Sequence, residues 1–100
     1  MVSKVSEITI EDVAKYIRID DYEDSDIETY LNIAKSYISS YTGLPITSED
    51  GESIDDFPDL VIVAYILCQD MYDNRTFYVD KNSTNKVVQT VLDMHTRNNL

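Results

Sequence analysis

An all-α fold, a small bundle of about four helices, is predicted for this chain by three observations. Glycine and proline are scarce, at two each in 100 residues, so few breaks interrupt it. Apolar residues recur at steps of three and four in several separate stretches, the period of a helix with one buried face. An unbroken apolar run of nine residues, Leu60 to Cys68, is flanked by helix-start signals. A length of 100 residues is one domain by size. Its core is modest, and domains of that kind often gain stability by oligomerising.

Residues 1–8 read as a flexible N-terminal arm, residues 9–97 as a single helical domain, and residues 98–100 as a tail. Thr9 starts the first helix, with Asp12 at capping-box spacing. Ile10, Val13, Ala14 and Ile17 fall on one face, and the helix runs to about Arg18. Asp20 to Asp24 is an acidic turn around Tyr22. Ser25 opens the second helix through the box Ser25-x-x-Glu28. Ile27, Tyr30, Leu31, Ala34, Ile38 and Tyr41 then recur at helical spacing, with Tyr37 beside the stripe. Gly43 ends this helix because glycine tolerates the left-handed cap, and Pro45 prevents its resumption.

The stretch from Pro58 to Arg75 is the centre of the chain. Asp55 and Asp56 are candidate N-caps, and Pro58 suits the first turn, where its missing N–H is not needed. Leu60, Ala64, Leu67 and Met71 form one stripe; Val61, Tyr65, Cys68 and Tyr72 form another. With Ile62, Val63 and Ile66 the helix is apolar nearly all round. A surface helix needs only one such stripe, so this one must be covered on several sides. Its apolar part is shorter than the roughly 20 residues of a membrane span. After it, Phe77, Tyr78 and Val79 are available to pack. Ser83 or Thr84 caps a last helix carrying Val87, Val88, Val91, Leu92 and His95.

The net charge is −11, from 8 basic and 19 acidic side chains. Binding to phosphate needs Lys and Arg, so a DNA-grasping surface is not expected. An acidic wall can still line a path for DNA, because it repels a polyanion and lets it slide. The loop between the second and third helices concentrates acid: Glu49, Asp50, Glu52, Asp55 and Asp56, with no base. Loops of that length are more often functional than mere links, and a channel or a basic partner is what this one would face. A second cluster spans Asp20 to Glu28. It fails as an EF-hand, because Ser25 or Asp26 falls where the loop needs glycine.

His95 is the only histidine and Cys68 the only cysteine. That removes most triads, metal sites and disulfide frameworks. Glycine-rich phosphate loops are absent. Neither catalysis, nor a cofactor, nor a metal is expected. No long apolar core follows Met1, so no signal peptide is expected, and the chain reads as intracellular or particle-borne. Eight tyrosines without a tryptophan suit core edges or subunit contacts. Tyr37, Ile62, Val63, Tyr65, Ile66 and Arg75 are the candidate subunit-interface residues. Arg75, at a helix C-terminus, could also clamp a carboxylate from another segment or subunit.

In order and spacing the chain resembles the small head–tail connector (DNA-packaging or adaptor) proteins of tailed bacteriophages. The matching pieces are TIEDVAKYIRID, an acidic turn, DSDIETYLNIAKSYISSYTGLP, and FPDLVIVAYILCQDMYDNR. Pro58, Leu60, Ala64, Tyr72, Asn74 and Arg75 carry the last of these. VLDMHTRNN resembles a degraded form of the family's terminal helix, with His95 where an aromatic is usual. The resemblance covers roughly residues 8–97. It implies a structural, non-enzymatic ring of identical subunits, usually twelve-fold, docked on the portal protein at the head–tail junction of the virion. Assembly would occur in the host cytoplasm. Such a ring extends the DNA channel without specific DNA binding and offers a platform to the next head-completion or tail protein. A rival reading from another class is an acidic DNA mimic that occupies a basic site on a DNA-acting protein.

Overall fold

The structure is a computed structural model and describes residues 4–46, 51, 53–79 and 85–96. Four α-helices follow one another: α1 (Ile10–Ile17), α2 (Asp24–Thr42), α3 (Asp59–Asn74) and α4 (Lys86–Met94). Two short 3-10 turns, Val5–Glu7 and Ile54–Asp56, precede α1 and α3, and the described residues include no strand. The predicted all-α bundle is the fold observed.

Local chemistry sets the helix boundaries. At the start of α1 both halves of the capping box form: the Asp12 N–H donates to Thr9 Oγ1 at 3.1 Å, and the Thr9 N–H donates to Asp12 Oδ2 at 3.0 Å. Arg18 closes the helix in the left-handed region, at φ 68°. The start of α2 departs from expectation. Its helical residues begin at Asp24, with Glu23 as an N-cap that makes no side-chain hydrogen bond. Ser25 is therefore already inside the helix, and the Ser25–Glu28 box does not form. Asp24 and Asp26 in the first turn favour this start through the helix dipole. At the far end Gly43 takes φ 77°, as the break required. The Thr42 hydroxyl donates to the Ile38 carbonyl at 2.7 Å and accepts from the Leu44 N–H at 3.2 Å. Ser39 Oγ donates to the Leu44 carbonyl at 2.6 Å.

Asp55 and Asp56, expected as caps of the central helix, belong instead to the turn before it. Ser53 Oγ accepts from the Asp55 N–H at 3.2 Å, and Asp56 Oδ2 accepts from the Ser53 N–H at 2.8 Å. Pro58 takes the cap position of α3 with helical angles. The cap of α4 is Asn85, whose Oδ1 accepts from the Val87 N–H at 2.7 Å. The expected caps Ser83 and Thr84 lie outside the described residues, as does the predicted tail at 98–100.

The buried side chains make one continuous core with α3 at its centre. Leu60, Val61, Val63, Ala64, Tyr65, Leu67, Cys68 and Met71 are all buried on that helix. Helices α1, α2 and α4 and the first 3-10 turn all pack on it, α2 most extensively. The segment expected as a loose arm contributes too. Val5 is fully buried and Ile8 nearly so. Ser6 fastens this stretch to the turn before α3: its N–H donates to Asp55 Oδ1 at 2.9 Å and its hydroxyl to Asp55 Oδ2 at 2.6 Å. Residues 4–8 are therefore docked, because α3 needs cover that the other helices do not complete. Replacing Val5 with Ala is expected to lower unfolding stability by about 1–3 kcal/mol through a cavity, read from the urea midpoint. A change too small to resolve would mean that residues 4–8 are not part of the core.

Candidate interaction surface

Two surface features stand out against the acidic background. The first lies on α3. Ile62 is 38% exposed, the one exposed apolar side chain on that helix, and Ile66, one turn later, is half-buried. The pair forms a short aliphatic ridge, continued by half-buried Gln69. The second is a groove of about 440 Å³ along the outer side of α2. Asn32, Ser36 and Ser40 line it at four-residue spacing, Ile33 and Tyr37 run beside them, and Phe77, Tyr78 and Val79 form the opposite wall. The Phe77 ring stacks on Tyr30 with centroids 5.1 Å apart, which holds that wall against α2. Phe77 and Tyr78 nonetheless remain half exposed or more.

The expected interface residues separate into two groups. Tyr37 lines the groove, and Ile62 and Ile66 form the ridge. Val63 and Tyr65 are core side chains, 1% and 8% exposed. The chain itself covers these faces of α3, and the Tyr65 ring stacks on Tyr16 with centroids 5.0 Å apart. Neither is free to meet a neighbour in this fold. Arg75 is exposed in a left-handed C-cap at φ 56°, its guanidinium 4.8 Å over the Tyr72 ring. It shares a polar pocket of about 290 Å³ with Asp21, Glu23, Asp26, Tyr22 and Tyr30. Among the described residues it makes no ion pair; the pairs present are Lys15–Glu11 and His95–Asp59.

Of the acidic loop, Glu49, Asp50 and Glu52 lie outside the described residues. Asp55 and Asp56 do not project as a loop tip: both are held in the 3-10 turn by the bonds from Ser6 and Ser53. His95 fills a role that its spacing did not disclose. Its Nε2 lies 2.8 Å from Asp59 Oδ2, and its ring packs on Phe57 with centroids 4.3 Å apart. The loop before α3 and the end of α4 thus meet. Tyr41 joins α2 to α4 in a similar way, its hydroxyl donating to Asp93 Oδ1 at 2.5 Å.

Burial shapes the titrations. It pushes the Cys68 thiol up to about 12, which leaves that group a core side chain rather than a nucleophile. The Tyr41 hydroxyl is raised chiefly by its bond to Asp93, and Tyr65 by burial. The carboxyl group of Asp70 is raised by burial and then by the charge of Asp73. Among the described residues, no group of three or more His, Cys, Asp or Glu is placed to hold a metal ion, and no helix is long and apolar enough to cross a membrane.

No family model, curated protein or solved structure matches this chain.

Two outcomes follow from the titrations. Alkylation of Cys68 at pH 8 is expected to run at least roughly 100-fold slower in the folded chain than in urea, measured by mass shift against time. Equal rates would place the thiol at the surface. Tyr41, Tyr65 and Cys68 all hold their protons more tightly folded than unfolded. Their contribution is whole below the ordinary thiol value of 9.0 and is lost as pH rises through the raised values, up to about 12 for Cys68. The urea midpoint should therefore fall steadily above about pH 9, and less steeply in Tyr41→Phe.

Proposed function

We propose that this chain is a structural, non-enzymatic head–tail connector subunit of a tailed bacteriophage. Copies would form a ring on the portal protein, extend the DNA channel and present a platform to the next head-completion or tail protein. The observation that carries this reading is the pairing of charge with surface. A chain of net charge −11 keeps an uncharged aliphatic ridge, Ile62 and Ile66, on the exposed strip of its central helix. A subunit packed between like neighbours would cover that ridge. The acidic excess suits a conduit that DNA must pass without sticking. The resemblance in the order of helix, Tyr-Thr-Gly break, acidic loop and Tyr-x-Asn-Arg helix end supports the same reading.

The test is electron microscopy of the purified chain mixed with its cognate portal ring. A ring of added density on the portal, lost in Ile62→Glu and Ile66→Glu variants that still fold by circular dichroism, is the expected result. If the portal stays bare while a basic DNA-acting protein captures the chain with steep salt dependence, the DNA-mimic reading replaces it.

A further inference from the structure

The polar pocket beside Arg75 is assembled from separate parts of the chain. Asp21, Tyr22 and Glu23 come from the turn that enters α2, Asp26 from the first turn of α2, and Tyr72 and Arg75 from the end of α3. Tyr30 also lines it, and Tyr30 points to a ligand. The residue is 5% exposed, with its ring stacked on Phe77. A buried tyrosine hydroxyl ordinarily has a hydrogen-bond partner. Among the described residues this hydroxyl has none, yet no side-chain oxygen sealed from solvent there lacks a partner, so the Tyr30 oxygen opens to the pocket it lines. The charged and polar groups that act on its phenol are Asp26, Arg75 and Tyr72, all lining residues too. Burial and then the Asp26 charge raise that phenol above its ordinary value, which keeps it neutral and able to accept or donate.

Three carboxylates and one guanidinium line this space, so negative charge is in excess. Arg75 does not cancel it. Its guanidinium lies 4.8 Å over the Tyr72 ring, and among the described residues it makes no ion pair. A cation is what such a pocket attracts. A metal ion does not suit it, since no three carboxylates among the described residues are placed to hold one. A planar guanidinium does. It spreads one charge over five N–H donors, forks to a carboxylate and stacks on aromatic faces. Tyr72 already carries one guanidinium in this way, whereas Tyr22, half-buried in the same pocket, carries none among the described residues. The volume of about 290 Å³ lies at the lower end of small-molecule sites, which run from roughly 300 to 1,000 Å³, and suits one side-chain head.

We propose that this pocket binds a guanidinium group, paired with Asp26 and the acids of the α2 entry, while the Tyr30 hydroxyl accepts from one of its N–H groups. The group is carried by an arginine of a partner protein or by a soluble guanidine; both present the same head. The proposal goes beyond the connector reading and does not rest on it.

The experiment titrates isotope-labelled full-length chain with N-acetylarginine amide, whose backbone charges are capped, and with methylguanidine. N-acetyllysine amide, magnesium chloride and sodium acetate are the comparisons, all at one ionic strength. The expected result is saturable amide shifts confined to residues 21–30 and 72–76, with the lysine compound at least roughly fivefold weaker than the arginine compound. Tyr30→Phe keeps the ring on Phe77 and removes only the hydroxyl; it should fold by circular dichroism and bind the capped arginine roughly tenfold more weakly. Asp26→Asn, at an exposed position, should weaken binding as well, and Arg75→Gln, which removes a like charge, should tighten it. Capped arginine binding tighter than methylguanidine supports a protein partner, and equal binding supports a soluble guanidine.

Shifts that spread over every acidic helix start without saturating, or that Tyr30→Phe leaves unchanged, overturn the site and leave a diffuse attraction of cations to a chain at −11. Magnesium that displaces the capped arginine at equal concentration overturns the guanidinium assignment. Acetate that saturates the same residues, and no longer does so in Arg75→Gln, overturns it in favour of a carboxylate ligand. None of these outcomes changes whether a ring forms on the portal, so the two readings fail separately.

Discussion

The burial of α3 is the constraint on which the rest of this structure depends. A helix with apolar side chains on nearly every face cannot stand in water, and a chain of 100 residues has few elements with which to wrap it. The cover comes from everything available: α1, α2 and α4, and also residues 4–8, which look too short and polar to matter. What this cover fails to enclose is narrow. It is a strip that starts at exposed Asp59, runs through Ile62, Ile66, Gln69 and Asp70, and ends at exposed Asp73 and Asn74. The surface available to a partner is thus a residue of the packing problem, left where the chain runs out of cover.

Charge is distributed to suit the same arrangement. Acids gather at helix starts, where the dipole favours them: Glu11 and Asp12 on α1, Asp24 and Asp26 on α2, Asp59 on α3. Several hold the backbone as well as carrying charge. Asp12 and Asp56 complete capping boxes, Asp55 accepts two bonds from Ser6, and Asp59 meets His95. An acidic excess that would otherwise destabilise a compact chain is thereby partly put to structural use, while the α2 groove stays free of charge.

Periodicity made the helices legible, and special residues made most of their ends legible. Thr9, Gly43 and Pro58 each act through a local mechanism that a few residues of sequence contain. The start of α2 differs from expectation because Ser25-x-x-Glu28 has the form of a box, while the acids ahead of it place the cap at Glu23, two residues earlier. The candidate surface was only partly legible. Ile62 and Val63 are neighbours of the same β-branched aliphatic kind, yet one is exposed and the other is core. Which side of an all-apolar helix remains uncovered depends on how the other elements dock, and no pattern within the helix encodes that. The contacts Ser6–Asp55, Tyr41–Asp93 and His95–Asp59 were hidden for the same reason, since each joins residues at least 36 apart. The row of Asn32, Ser36 and Ser40 along the groove did leave a trace, as small polar residues at steps of four on the face opposite the apolar stripe.

Ser6 holds Asp55, and His95 holds Asp59, only four positions further on. Segments from opposite ends of the sequence therefore converge on one corner of the domain, at the entry to its central helix. Mechanically, the Ser6–Asp55 and His95–Asp59 contacts form a single handle. A force that separates Ser6 from His95 opens this corner bond by bond instead of shearing the helices along their length.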